Sequence, residues 1–401
     1  MRKALSTSAA LFVVAIAVAA CGGSDDSTDS TAPAAAPATS AAAPAASGAT
    51  STAAAAGADS AGCGTTVDEI AVKAKEEGQV NLIALPDTWA NYKGILDSFK
   101  SKYGIKAPVA NPDAASADEL TAIETLRGQP DMPEVVDVGP SFTTQMIDQG
   151  FAETYKPTVW DEIPDNLKDP NGQWVGAYYG VLSIASNTTL VKNPPQTWAD
   201  LKKPEYKGQV TINGDPREAG AAFAAVMAAS LANGGSFDDI MPGIQFMADL
   251  KKAGNLQQLD VTEAAVLSGD VPIALDWTYN FPALQTALAD AGFAMQVVVP
   301  SDGVYGGYYA QSVVTQANHP CAARLWLEHL VGDDGALGYL EGGAIPARFA
   351  ALEASGKITE DLKKNLPTAD VIAKVTFPTQ EQTDAAKKIL ADNWGPMVAD
   401  A

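Results

Sequence analysis

Segments with helical and strand patterns alternate along the chain from Thr66 onward. "TVDEIAVKAKEEG" has apolar residues at helical spacing and ends at Gly78, and "QVNLIAL" then has the pattern of a strand. The helix "TWANYKGILDSFKSKYG", the strand "IKAPVA", the helix "SADELTAIETLRG" and the strand "EVVDVG" continue the series. Strands separated by helices form a mainly parallel sheet with helices on both faces. The sequence therefore predicts an α/β fold.

A second α/β series follows the extended segment "GAYYGVLSIASN". It begins with a loop-helix-loop-strand in "NPPQTWADLKKPEYKGQVTINGDP" and two helices, the Ala-rich "REAGAAFAAVMAASLANGG" and "SFDDIMPGIQFMADLKKAG". The strand "DVPIALDW", the helix "NFPALQTALADAG" and the strand "AMQVVVP" follow. After "GVYGGYYAQSVV" the pattern is mostly helical to the end. Residues 65–401 are enough for two lobes with separate cores.

The N-terminal twenty residues have the pattern of an export signal. Arg2 and Lys3 precede an apolar run of twelve residues from Ala9 to Ala20. A membrane-spanning helix needs about 20 apolar residues, so this run fits the core of a signal peptide over 1–20. Val18-Ala19-Ala20-Cys21 resembles the bacterial lipobox, in which the cysteine becomes the first mature residue and carries lipid. An ordinary signal peptide with a nearby cysteine is the alternative.

Residues 21–64 are expected to form a lipidated N-terminus and a disordered tether. Residues 22–62 are almost entirely Ala, Ser, Thr, Pro, Gly and Asp, with no aromatic or large aliphatic side chain. Such a segment cannot bury enough apolar surface to offset the entropy of ordering. We therefore expect an exported protein that is anchored by Cys21 to the outer face of the cell membrane.

The net charge and the cysteine content limit the possible partners and crosslinks of the protein. The formal net charge of −22 disfavours a nucleic-acid partner, which selects basic surfaces. Three cysteines are present, and lipidation of Cys21 leaves Cys63 and Cys321. In an exported chain this pair indicates one disulfide, although two free thiols are the alternative.

Three segments carry a resemblance to a known family: "VTINGDPREAGAAF" (210–223), "AAVLSGDVPIALDWTYNFPAL" (264–284) and the stretch 297–340. They resemble the type II solute-binding proteins of ABC importers, in the branch that includes polyamine, ferric-ion, thiamine and phosphonate binders. The resemblance implies a two-lobed type II periplasmic binding protein fold with two hinge crossovers, near 178–186 and 297–310.

The same resemblance implies a division of the chain and a function. Lobe 1 would comprise 65–178 and 308–401, and lobe 2 with the hinge strands would comprise 179–307. A small-molecule solute would bind between the lobes and be delivered to a membrane permease. We expect a monomer with no cofactor and no enzymatic activity.

Candidate ligand-binding residues lie at strand ends and in the two crossovers, since ligands of open parallel sheets bind beyond the carboxyl ends of the strands. They are Asp87, Thr88, Trp89, Ser141, Tyr178, Arg217, Asp276, Trp277, Tyr279, Tyr308, Tyr309 and Gln311. His319 and His329 are expected at the surface.

Several of these candidates have a structural alternative. Trp89 is equally suited to anchor its helix in the core, and Asp87 to cap that helix. Tyr178 and Tyr179 point to opposite faces of a strand, so one of them should be buried. Arg217 has Asp215 and Glu218 as possible ion-pair partners.

An amine-containing, polyamine-like solute fits these residues best. A carboxylate among aromatic faces suits an ammonium group, and Asp87, Asp276, Trp277, Tyr279 and Tyr309 offer that combination. The sequence also departs from the polyamine binders of the family, which carry an aspartate just past an aromatic residue in the second crossover. Here that position holds the neutral Gln311.

Other ligand classes remain open. The ferric branch has two adjacent tyrosines after the corresponding strand of lobe 2, and here Tyr279 is followed by Asn280. A phosphonate or another anion would use Arg217 and the helix that begins near Ala219. The chain lacks G-x-S-x-G, H-E-x-x-H, G-x-x-x-x-G-K-[ST] and C-x-x-C, which disfavours an enzyme. A cell-surface adhesion lipoprotein is the remaining class.

Overall fold

The computed structural model describes residues 61–257 and 259–400. The predicted signal peptide (1–20), the lipidation site Cys21 and the tether up to residue 60 lie outside the described residues. Within the described ranges, no helix combines the length and apolar character needed to cross a bilayer.

Ten strands in the described part of the chain form one continuous mixed sheet. They are β1 (Leu82–Ile83), β2 (Val109–Ala110), β3 (Val135–Val138), β4 (Val175–Asn187), β5 (Val210–Ile212), β6 (Leu256–Gln257), β7 (Ile273–Trp277), β8 (Met295–Val298), β9 (Gly306–Val313) and β10 (Ile345–Pro346).

Fourteen α-helices surround the sheet in the described ranges. They are α1 (Val67–Glu77), α2 (Tyr92–Tyr103), α3 (Ser116–Leu126), α4 (Thr143–Asp148), α5 (Gly220–Ala232), α6 (Met241–Ala253), α7 (Glu263–Ser268), α8 (Phe281–Asp290), α9 (Pro320–Val331), α10 (Asp333–Glu341), α11 (Phe349–Ala354), α12 (Glu360–Lys363), α13 (Ala369–Ile372) and α14 (Gln380–Trp394).

The main strand order is β2-β1-β3-β9-β4-β7-β5-β6, while β8 and β10 also pair with β4. We call the elements that pack on β1, β2, β3 and β9 the first lobe, and those on β5, β6, β7 and β8 the second lobe. Pairing is parallel among β1, β2 and β3 and among β5, β6 and β7. The expectation of a mainly parallel sheet therefore fails in the middle, where β4 and β9 pair antiparallel with their neighbours.

The long strand β4 runs through both lobes. Its first half, from Val175 to Val181, pairs with β9, and its second half pairs with β7 and β8. The segment between β8 and β9 returns the chain from the second lobe to the first. These two connections lie where the crossovers were predicted.

Helices form where local capping and an apolar face agree. In α1, the Thr66 hydroxyl accepts from the N–H of Glu69, whose carboxylate accepts in return from the N–H of Thr66. The Ala-rich α5 is apolar on all sides and is correspondingly buried over most of its length, against β7 and α6.

A disulfide fixes the start of the described body to α9. Cys63 and Cys321 are bonded, as predicted, and are 258 residues apart in sequence. The Glu77 carboxylate at the end of α1 also accepts from the N–H groups of Cys321 and Ala322, at 3.2 and 2.7 Å. A crosslink that closes so long a loop stabilises a fold by about 5 kcal/mol in the chain-entropy model.

The expected surface position of the histidines is wrong for His329. Its ring is buried among Phe99, Tyr103 and Trp326, and burial lowers its pKa to about 4. His319 is partly exposed and its Nδ1 lies 2.9 Å from the Glu134 carboxylate. His329 lies on α9, and its burial depends on the contact of α9 with Phe99 of α2.

Candidate functional site

A cavity of about 880 Å³ lies between the two lobes. The first lobe contributes the loop after β1, the start of α3 and Asp137 of β3. The second lobe contributes the loop after β5, the start of α5, the loop before α7 and the end of β7. The cavity thus lies beyond strand ends, where the fold predicts a ligand.

The cavity lining is strongly acidic. Ten carboxylates belong to it, and none of its described residues is Lys, Arg or His. The carboxylates are those of Asp87, Asp113, Asp118, Glu119, Asp137, Asp215, Glu218, Asp260, Glu263 and Asp276. Each lobe contributes half of them, so a solute in the cavity meets negative charge from two sides.

Asp276 is the most buried carboxylate of the second-lobe wall, with 1% of its surface exposed. Its Oδ1 accepts from the N–H of Trp277 at 2.8 Å, and its Oδ2 accepts from the side-chain amide of Asn213 at 2.9 Å. Because burial removes water from a charge that only neutral groups contact, the pKa of Asp276 rises to about 6.

One atom of the second-lobe cavity lining, the side-chain oxygen of Asn280, has no hydrogen-bond partner among the described residues. A buried polar group without a partner costs about 1–3 kcal/mol. The second-lobe wall therefore has hydrogen-bonding capacity that the protein itself does not use.

Asp137 is the central carboxylate of the first-lobe wall. The hydroxyls of Tyr92 and Tyr178 donate to its Oδ2 at 2.7 and 3.0 Å, and the side-chain amide of Gln311 donates to its Oδ1. The register between β3 and β9 places Asp137 directly opposite Gln311. Burial raises the pKa of Asp137 to about 7, against the effect of these donors.

Glu119 adds a second buried carboxylate to this wall. Its Oε2 accepts from the backbone N–H of Asp137 at 2.8 Å. Burial, reinforced by the charge of Asp137, raises the pKa of Glu119 well above its usual range.

Aromatic rings connect the two walls. Trp89 lines the cavity, and its indole N–H donates to the Tyr178 hydroxyl at 2.8 Å. The Trp89 ring meets those of Tyr309 and Tyr279 edge-on, with centroids 5.4 and 5.7 Å apart. Trp89 and Asp137 are therefore linked by two hydrogen bonds that share the Tyr178 hydroxyl.

The structure brings five of the predicted site residues to the cavity lining: Asp87, Thr88, Trp89, Asp276 and Tyr309. Four others, Tyr178, Trp277, Tyr279 and Gln311, are fully buried and pack behind these walls. Of the two crossover tyrosines, Tyr178 is the fully buried one and Tyr179 is half-buried.

The remaining three predicted site residues are also absent from the lining. The Arg217 guanidinium donates to both oxygens of Asp215, at 2.9 and 2.6 Å. The Tyr308 ring stacks on Trp174, with centroids 5.4 Å apart. The carbonyl oxygen of Ser141 accepts from the Lys387 ammonium group at 2.7 Å.

Asp137, Glu119 and Asn213 were not among the predicted site residues. Asp137 carried a signal, since a carboxylate interrupts the apolar strand "EVVDVG" just before its end. Glu119 lies within the first turn of α3, where an acidic residue is ordinary helix chemistry. Within the described ranges, no three His, Cys, Asp or Glu side chains are grouped as a metal site.

Comparisons with known proteins agree with this architecture. The family model described as bacterial extracellular solute-binding protein matches residues 130–375, more than half of the chain. The spermidine/putrescine-binding periplasmic protein 1 of Haemophilus influenzae is 30% identical over 142 residues. That match covers 33% of this chain and 39% of the relative, so the chain spans about two fifths of the curated relative's length.

Solved structures match over a larger share of the chain. The periplasmic binding protein AfuA from Actinobacillus pleuropneumoniae, with fructose-6-phosphate bound, has a TM-score of 0.64 at 18% identity, covering 80% of this chain and 99% of AfuA. A putative spermidine/putrescine ABC transporter protein from Listeria monocytogenes has a TM-score of 0.59 at 14% identity, with coverage of 79% and 98%.

These structural matches show the two-lobed type II periplasmic binding protein fold, and the family match covers the strands that form both crossovers and the second lobe. The chain belongs to the bacterial extracellular solute-binding protein family.

Proposed function

We propose that the protein captures an amine-containing, polyamine-like cation between its lobes and delivers it to the permease of an ABC importer. The observation that carries this proposal is the cavity lining, with ten carboxylates and no basic side chain among its described residues. An ammonium group that enters this lining gains charge-assisted hydrogen bonds to its carboxylates.

The aromatic side chains of the cavity support the same ligand class. Trp89 and Tyr309 line the cavity together with Asp137 and Asp276. Desolvated cation–π contacts contribute up to about 2 kcal/mol each, which favours an ammonium group over a neutral solute of the same shape. Strand β9, which carries Tyr309, pairs on one side with β3, which carries Asp137, and on the other side with β4.

Anionic solutes are less well supported. A phosphonate or sugar phosphate would approach ten carboxylates, and the best candidate cation for it, Arg217, is paired with Asp215. The start of α5 offers backbone N–H groups, but Asp215 and Glu218 lie just before it. AfuA, whose structure holds fructose-6-phosphate, therefore shares the fold without indicating the solute here.

Ferric ion is also less well supported. The Tyr279 ring packs against Trp89, Tyr178 and Trp277, behind the cavity surface. Asn280, which follows it, offers a neutral amide in place of a second phenolate. A cavity of about 880 Å³ fits a molecule with many atoms better than a single ion.

The proposal includes the division and location of the chain. Residues 1–20 act as the signal peptide, Cys21 carries the lipid, and 21–64 form the tether. Lobe 1 (65–178 and 308–401) and lobe 2 (179–307) close on the solute about the crossovers, with no chemical change to the solute. The protein acts as a monomer on the outer face of the membrane.

A melting screen tests the proposed ligand class. The mature protein is heated with putrescine, spermidine, thiamine, Fe(III), a phosphonate and amino acids. At a hundredfold excess over its Kd, the true ligand stabilises the protein by about 2.7 kcal/mol. We expect an amine to raise the melting temperature and to be recovered unchanged. A shift with the phosphonate or Fe(III) alone would contradict the proposal, and consumption of the compound would indicate an enzyme.

A further inference from the structure

The two lobes touch through backbone atoms at one side of the cavity. Gly139 follows β3 in the first lobe, and Gly220 begins α5 in the second lobe. A Cβ atom added to Gly139 would lie 2.9 Å from the Cα of Gly220, and one added to Gly220 would lie 3.0 Å from the Cα of Gly139. Only glycine at both positions permits so close an approach of two backbones.

A hydrogen bond between the lobes accompanies this approach. The N–H of Ala117 in α3 donates to the carbonyl oxygen of Glu218 at 3.2 Å. In the first lobe, the N–H of Gly139 donates to the Ser116 hydroxyl at 3.0 Å, which fixes Gly139 against the start of α3. We call Gly139 and Gly220, with the Ala117–Glu218 hydrogen bond, the glycine contact.

The glycine contact lies at the edge of the ligand cavity. Ser116, Glu218 and Gly220 are all part of the cavity lining. The hydroxyl of Tyr309, another lining residue, is 3.4 Å from a Cβ position at Gly220. Any motion that separates the two walls at this edge must therefore separate Gly139 from Gly220.

We propose that Gly139 and Gly220 are positioning residues for solute capture, because their close approach lets both acidic walls reach one solute. This inference rests on the proposed binding of a solute between the lobes. A solute favours the closed form only by contacts that the open form lacks. If the lobes cannot meet at the glycine contact, Asp137 and Asp276 are held too far apart to share the solute.

Alanine at either glycine should act on closure and leave folding largely unchanged. The added methyl group clashes with the opposite lobe, so a small opening of the cleft relieves the clash without disturbing either core. Apparent affinity falls in proportion to the fraction of closed molecules. We expect Gly139→Ala and Gly220→Ala each to weaken binding at least tenfold. In the double variant the fold-loss of affinity should be smaller than the product of the two single losses, since one opening of the cleft relieves both clashes.

The test combines calorimetric titration with spermidine, melting temperature and solution scattering. We expect the two alanine variants to bind spermidine at least tenfold more weakly than wild type, with ligand-free melting temperatures close to wild type. Gly94→Ala is the matched control, because the atoms nearest to its added Cβ belong to the Asn91 side chain, within the same lobe. It should bind as wild type does.

Wild-type affinity for spermidine in both variants would overturn the inference. A loss of ligand-free stability large enough to explain the weaker binding would also overturn it. If spermidine fails to bind wild type, the proposed ligand class fails, and scattering still tests the glycine contact. At saturation with whichever compound of the melting screen raises the wild-type melting temperature, the Gly139→Ala and Gly220→Ala proteins should then have a larger radius of gyration than wild type. Equal radii at saturation would overturn the inference about the contact.

Discussion

The two walls of the cavity use their hydrogen bonds differently. In the first lobe, Asp137 accepts from two tyrosine hydroxyls and one glutamine amide. In the second lobe, Asp276 accepts from one amide and one backbone N–H, and the neighbouring Asn280 oxygen has no partner among the described residues. The first-lobe wall is internally satisfied, and the second-lobe wall is not.

This difference indicates separate roles for the walls. A fully bonded network keeps its geometry whether or not a solute is present, so the first-lobe wall serves as a fixed platform. An unpaired buried oxygen gains the most when a donor arrives, so the second-lobe wall should supply more of the change in free energy on binding. The following variants test that assignment.

The largest expected effect belongs to Asp276→Asn. Removing a buried charge that a cation would pair with typically costs 2–5 kcal/mol, so spermidine affinity should fall roughly a hundredfold. Asp137→Asn should cost only about tenfold, since the tyrosines and Gln311 already share its charge. Calorimetric titration of the two variants measures the ratio. An Asp137→Asn loss that exceeds the Asp276→Asn loss would reverse the assignment of the walls.

The second expected effect is on pH dependence. Burial raises the pKa of Asp276 to about 6 and that of Asp137 to about 7, above their ordinary values. Both carboxyl groups therefore keep their protons in the folded, ligand-free protein up to a higher pH than in the unfolded chain. This difference stabilises the folded state fully below about pH 4, and the stabilisation is lost as pH rises through 6 and 7. A cation prefers the ionised carboxylates, so its affinity should increase over that window.

For each carboxyl group that must ionise to bind the cation, the affinity falls by up to about tenfold for every pH unit below the pKa of that group. The titratable groups that face Asp137 are Tyr92, Tyr178, Tyr339 and Glu119, and those that face Asp276 are Tyr279 and Tyr309. No basic side chain is among the groups that shift the pKa of either carboxyl group. Calorimetric titrations with spermidine from pH 5 to 8 measure this affinity. Repeating them in two buffers of different ionisation enthalpy gives the number of protons released on binding. Affinity that stays constant or decreases with rising pH would contradict the account.

A smaller effect is expected for Tyr178→Phe. This change removes the hydroxyl that accepts from Trp89 and donates to Asp137. Loss of one such bridge should weaken spermidine binding by about threefold to tenfold, within the usual range for a hydrogen bond. Tyr179→Phe is the matched control, because the Tyr179 ring contacts Phe377 outside this network. Equal losses in both variants would remove the bridge from the site.

The smallest effect on affinity is expected for the double change Cys63→Ser and Cys321→Ser. The disulfide joins the start of the body to α9 and contributes no residue to the cavity lining. Binding should stay within about twofold of wild type while the unfolding free energy falls by about 5 kcal/mol. A large loss of affinity at unchanged stability would place the disulfide in control of the cleft.

The alternation of helix and strand patterns was sufficient to predict an α/β fold, and the family resemblance added its two lobes. The cysteine count in an exported chain was sufficient to predict the bond between Cys63 and Cys321. Strand ends were sufficient to place Asp87, Trp89 and Asp276 near one cavity, because that rule depends only on chain direction. The antiparallel pairing of β4 and β9 was not predictable in the same way. It depends on which distant strands lie beside them, and local patterns do not specify that.

The first-lobe network shows where sequence reasoning ends. Gln311 appeared to be a missing charge when its own segment was considered alone. The register of β9 against β3 places it opposite Asp137, which supplies the carboxylate from another strand. His329 shows the same limit, since its burial depends on the packing of α9 against α2.

The central claim is that the acidic cleft closes on a cation held by both lobes. A crystal structure of the protein with spermidine tests it most directly. We predict one ammonium group within about 3 Å of an Asp276 oxygen, cation–π contact with Trp89 or Tyr309, and Gly139 still against Gly220. A solute bound through the start of α5 with no contact to Asp276, or an empty cleft at saturating spermidine, would contradict the claim.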